Sequence, residues 1–198
     1  MTESAREWTT VEWTMEQLDT EAMAKQSLRW IAIGILGFGA LGVVPMLRYD
    51  VIGGLLSTVL TFGAFLLVGI VVSTLLHEAA HGVVMARYGA KPQFGVGVLQ
   101  GKVPYAYATA PGHKFTRRQF WWMGMMPTFV VNALFAVLVL FLPWGPFLVL
   151  PAALHLSACL GDWAILKMIS QQPDGTLVED TRAGLVLHLP PGTDAALN

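Results

Sequence analysis

His77-Glu78-Ala79-Ala80-His81 closes a long uncharged run of this chain and brings together residue types that could do chemistry. On a helix, positions i and i+4 lie about 40° apart around the axis, so His77 and His81 aim two imidazoles at one point while Glu78 projects beside them. Two nitrogen ligands for Zn²⁺ and a carboxylate able to take a proton from water are parts of a hydrolytic metal site. Such a site has three protein ligands and one open position, so the histidine pair needs a third donor from elsewhere in the chain.

Asp162 and His155 are the candidates for that third donor. Between Asp50 and Asp174 the only acidic side chains are Glu78 and Asp162, each at the edge of an apolar stretch. A carboxylate at bilayer depth costs roughly 2.5 to 3.5 kcal/mol on insertion scales, and a divalent cation would offset that cost. His155, Cys159 and Asp162 fall on one helical stripe, but His155 and Asp162 are two turns apart, about 10 Å along the axis. Both can hardly reach one ion. Asp162 is the preferred ligand because an unpaired carboxylate there is costly, whereas neutral histidine tolerates burial. The plainer alternatives are an ion pair from Asp162 to Lys167 or Arg87 and an interhelical hydrogen bond from His155.

The composition says what must position these residues. Of 198 residues 55% are hydrophobic and 13% charged, which is too apolar for an ordinary soluble domain and short for several domains. A formal net charge of −1 supplies no field for nucleic acid, which is excluded as a partner. The acidic N-terminal segment, with Glu3, Glu7, Glu12, Glu16, Asp19 and Glu21, lacks the basic start and apolar core of a secretory signal. Cys159 is the lone cysteine, so no intrachain disulfide forms, and it reads as a small buried hydrophobe.

A membrane-spanning helix needs about 20 apolar residues. The uncharged runs predict an all-α polytopic membrane protein with four transmembrane helices, near 29–48, 52–88, 118–142 and 147–169. The last two are divided by Pro143-Trp144-Gly145-Pro146. Residues 1–27 read as an acidic segment, 28–170 as the membrane domain, and 171–198 as a tail with a Pro173-Asp174-Gly175 turn, short β-leaning pieces and a loose end. A small β-hairpin over 94–109, turning at Gln100-Gly101-Lys102, is expected between the second and third helices. Arg87, Lys91, Lys102, Lys114, Arg117 and Arg118 gather in that same connection, which by the positive-inside rule places it and both termini in the cytoplasm. The second and fourth spans then carry His77, His81 and Asp162 at a shared depth. The tryptophans, Trp121, Trp122 and Trp144 among them, suit interfacial anchoring, and His113 suits a basic patch facing lipid headgroups. Asn132 reads as an interhelical hydrogen-bonding amide, or with His155 as a supporting oxyanion donor.

With His77, Glu78, His81 and Asp162 in view, the chain resembles the intramembrane metalloproteases of the site-2 class, which carry His-Glu-x-x-His on one membrane helix and an aspartate ligand on a later one. It is more closely similar to the small zincin peptidases of bacterial membranes, through His-Glu-Ala-Ala-His-Gly at 77–82 and Gly161-Asp162, over roughly residues 65–170. The order Gly161-Asp162-Trp163 departs from the Asp-Gly of the site-2 class. The resemblance implies a zinc-dependent peptidase in the membrane, with a membrane protein or peptide as substrate and the lipid bilayer as its surroundings. His77, His81 and Asp162 would be the metal ligands and Glu78 the catalytic base. The competing reading is a non-catalytic zinc-binding membrane scaffold or regulator, against which Glu78 argues because ligation alone does not require it.

Overall fold

The computed structural model describes residues 8–14, 17, 19–50, 53–99 and 103–196. The expected hairpin turn at Gln100-Gly101-Lys102 and the acidic residues Glu3, Glu7 and Glu16 lie outside them. Four described helical runs are long and apolar enough to cross a membrane: α1 (Thr20–Arg48), α2 (Leu55–Arg87), α3 (Arg117–Phe141), and the run Gly145–Ser170. The last run is a short 3₁₀ turn followed by α4 (Val149–Ala158) and α5 (Leu160–Ser170), with Cys159 between them, where a single helix was expected. α1 also begins well before the expected boundary near residue 29. Asp19 caps it by accepting from Ala22 N–H at 2.9 Å, and the Glu21–Lys25 pair supports the first turns. In α2 only 6% of the most apolar window, of mean hydropathy 2.5, is buried. Water would not tolerate that surface, whereas hydrocarbon would.

β structure is placed differently from the sequence expectation, which had one hairpin and no larger sheet. β2 (Gln93–Leu99) and β3 (Val103–Thr109) pair antiparallel as a two-stranded sheet, and a separate four-stranded antiparallel sheet has the order β1-β6-β5-β4. Its strands are β1 (Thr9–Thr14), β4 (Lys114–Thr116), β5 (Leu177–Thr181) and β6 (Gly184–Leu189). Trp13 stands opposite Leu185, and Phe115 opposite Val178. Thr9–Thr14, inside the segment read only as acidic, and the β-leaning pieces read in the tail are thus paired strands.

The chain divides into two compact units. The first comprises 1–18, 78–126 and 162–198; the second comprises 19–77 and 127–161. In the first, the four-stranded sheet buries Phe115, Val178, Leu187 and Leu189 together with Met85 of α2, Phe120 and Met123 of α3, and Ile169 of α5. In the second, Phe38 of α1 packs with Val131, Phe135 and Val139 of α3 and with Leu148 and Ala152.

Small residues let the helices of the second unit approach closely, as association in lipid requires. A Cβ added at Gly34 would lie 2.7 Å from Ala153 Cα, while one at Gly37 would meet nothing within 4 Å. Gly34→Ala should therefore force α1 and α4 apart and cost about 1–3 kcal/mol, whereas Gly37→Ala should be neutral or slightly stabilising. Thermal unfolding of the two variants in detergent checks this, and equal melting temperatures would contradict it.

Candidate metal centre

α2 carries the motif in its last third and stops at Gly89, whose φ of +85° suits glycine. Ala90 N–H donates to Met85 O at 3.1 Å and Gly89 N–H to Ala86 O at 3.0 Å, the paired bonds of a Schellman stop. β2 lies close to the same end of the helix, where a side chain at Gly82 would collide with the Phe94 ring.

In the first unit His81 is buried and each of its ring nitrogens has a definite neighbour. Nδ1 lies 2.9 Å from Met123 O and Nε2 lies 3.5 Å from Asp162 Oδ1. A carbonyl only accepts, so Nδ1 carries the hydrogen and Nε2 is the nitrogen that faces Asp162, with a lone pair for a metal when the ring is neutral. The sequence explains why that carbonyl is available. Pro127 sits four residues later within α3 and has no N–H to give Met123 O. Asp162 falls in the first turn of α5, where an acidic side chain meets the positive end of the helix dipole.

Neighbouring ligand atoms on a tetrahedral ion with bonds of 2.0–2.1 Å stand about 3.3 Å apart. The 3.5 Å between His81 Nε2 and Asp162 Oδ1 is close to that edge, and imidazole with carboxylate is a donor pair that zinc accepts. His77 stands one turn before His81 on the same unbroken helix, which places the two on one face.

Glu78 belongs to the first unit with His81 and Asp162, and the second unit holds His77, Asn132 and His155. His77 Nδ1 lies 3.2 Å from His155 Nε2, and His155 Nδ1 lies 3.2 Å from Asn132 Oδ1. Asn132 Nδ2 donates to Thr128 O at 2.8 Å. His155 and Asn132, each read first as an interhelical hydrogen-bonding residue and only alternatively as an oxyanion donor, are hydrogen-bonded to one another. Cys159 is fully buried and its thiol donates to His155 O at 3.4 Å. His113 packs on Phe115 and His188 reaches Glu179.

Asp180 is a residue the sequence reading missed. It lies on β5, where the Thr109 hydroxyl donates to its backbone oxygen at 2.7 Å and stands 3.1 Å from Oδ1. Burial pushes its carboxyl up from the usual 3.8 to about 7. The hydrogen bond from Thr109 and the His81 imidazole oppose that rise, while the charges of Glu78 and Asp162 add to it. No motif marks this aspartate; only the fold brings it within electrostatic reach of Glu78, His81 and Asp162.

A protein-family model described as "Putative zincin peptidase" matches residues 70–177. The chain belongs to this family. The match includes His77, Glu78, His81, Asn132, His155 and Asp162, and zinc is the cofactor that a zincin peptidase implies. No curated protein and no solved structure matches the chain.

Because the folded Asp180 carboxyl titrates higher than in the unfolded chain, its contribution to stability is complete below about pH 4 and is lost as pH rises to about 7. Asp180→Asn should remove that loss. In chelator-treated protein its melting temperature should gain on wild type from about pH 4 to 7 and keep a constant lead above that. Parallel melting curves across that range would refute the shift.

Proposed function

We propose that this zincin peptidase works within the membrane, hydrolysing peptide bonds of membrane proteins or peptides near the cytoplasmic face of a bacterial membrane. The observation that carries the reading is the approach of Asp162 Oδ1 to His81 Nε2 at the end of the long apolar helix α2. His77, on the same helical face, completes a set of two imidazoles and one carboxylate, and Glu78 is the adjacent base. The charge bias of the connection after α2 supports the cytoplasmic side.

His77, His81 and Asp162 would hold zinc, which would supply Lewis acidity towards a water and a peptide carbonyl. Glu78 takes the proton of the attacking water and then delivers it to the leaving amine, so one carboxylate serves as base and acid in turn. Met123 O holds His81 with Nε2 forward, so no tautomer change precedes binding.

Substrate must be locally extended, because a helix hides its carbonyls in intrahelical bonds. The two-stranded sheet β2–β3 suits such a segment, since a strand can add to its edge. Gly95 and Gly97 stand opposite Tyr107 and Tyr105, and the tyrosine rings cover the space that side chains at those glycines would fill.

Glu78→Gln should keep the zinc content of wild type and lose cleavage of a membrane-embedded substrate by about 10²–10⁴-fold. Asp162→Ala should lower the zinc content itself. Metal analysis beside a cleavage assay in detergent or proteoliposomes reads both. Full cleavage by Glu78→Gln would remove its role as base, and zinc-loaded wild type that cleaves none of a panel of membrane substrates would favour the scaffold reading.

A further inference from the structure

Hydrogen bonds in the second unit have a direction that can be read from one amide. Asn132 Nδ2 donates to Thr128 O at 2.8 Å; the opposite amide orientation would set two oxygens against each other. Oδ1 therefore faces His155, and the nitrogen 3.2 Å away, His155 Nδ1, carries the hydrogen. A neutral imidazole has one N–H, so His155 Nε2 is a bare acceptor. Its neighbour at 3.2 Å, His77 Nδ1, must then be the donor. That puts the acceptor lone pair of His77 on Nε2.

We propose that Asn132 and His155 are positioning residues that lock His77 in the tautomer and ring orientation required to bind zinc through Nε2. The relay runs from the Thr128 carbonyl through Asn132 and His155 to His77. It does for His77 what the Met123 carbonyl does for His81. The inference rests on His77 being a zinc ligand, and it removes His155 from the ligand set, because its two ring nitrogens are both committed.

His155 is buried, and its ring lies edge-on to His77 at a centroid distance of 5.3 Å and tilted against Phe135 at 6.0 Å. The ring is thus held by packing as well as by hydrogen bonds, which a relay needs to have one geometry. One rival use exists: possible ligand atoms of His77, His155 and Cys159 lie within 4.8 Å of one another. A metal bound there would take His77 through Nδ1 and break the relay.

Zinc affinity separates these uses, measured by competition with a chromogenic chelator on purified full-length protein. His155→Leu and Asn132→Leu should each weaken zinc binding by about 10–100-fold, the usual effect of removing a partner that orients a ligand. His155→Gln, whose Oε1 can accept from His77 Nδ1, should stay within a few-fold of wild type. A general loss of fold would not be rescued selectively by acceptors. Cobalt-substituted His155→Gln should keep the visible spectrum of wild type, since the donor set is unchanged.

Wild-type affinity in both leucine variants would overturn the relay. So would a cobalt spectrum that changes in His155→Gln, or a sulfur-to-metal band that Cys159→Ala abolishes, since either makes the second unit's cluster the metal site. If wild type binds no zinc, the proposed function fails first. If wild type binds and cleaves while the leucine variants match it, only the relay fails.

Discussion

The structure depends on keeping ionisable groups at the end of an apolar helix. α2 has no acidic residue before Glu78 and no charged residue before the motif, and its hydrophobic surface is largely uncovered over the most apolar stretch. Ionised groups placed there are stable only with partners, because the surroundings solvate charge poorly. The first unit supplies those partners. Its sheet and helix ends pack around Met85 and Met123, which sets Asp162 and the Met123 carbonyl against His81. Peripheral strands from both ends of the chain thereby serve the metal centre without touching it.

Orientation of the two imidazoles is obtained by different means. His81 uses a main-chain carbonyl that Pro127 leaves without its helical donor. A proline inside an exposed helix costs about 3 kcal/mol or more, but here the orphaned carbonyl has a side-chain partner, so part of that cost is offset where the site gains order. His77 is reached by side chains, His155 directly and Asn132 through it. Side-chain relays require each member to be held, which the packing of His155 against Phe135 provides.

The apolar spans were legible because uncharged runs leave few alternatives, and Gly89 marked the helix stop for a local reason, its positive φ. Of the sheet β1-β6-β5-β4, the strand character of β5 and β6 was legible but β1, β4 and the pairing were not. β1 lies in an acidic segment and pairs with β6 from the far end of the chain, and non-local pairing leaves no periodic trace in either strand alone. Spacing along the fourth span placed His155 on the stripe of Asp162, but spacing says nothing of which ring nitrogen faces what. That depended on Asn132, twenty-three residues earlier. Asp180 was invisible for the same reason as β1, since its proximity to His81 is created by strand pairing.

Three carboxyl groups, those of Glu78, Asp162 and Asp180, act electrostatically in the neighbourhood of one imidazole, His81. Burial raises the proton affinity of Asp180, and the charges of Glu78 and Asp162 add to that rise. A divalent cation held beside His81 acts in the opposite sense on all three. Metal and proton would therefore be linked: burial pushes the Asp180 carboxyl up to about 7, and a cation bound nearby would pull it back down. The acid that no motif announces thus tunes how strongly the first unit attracts a cation, while the ligands themselves decide where it sits.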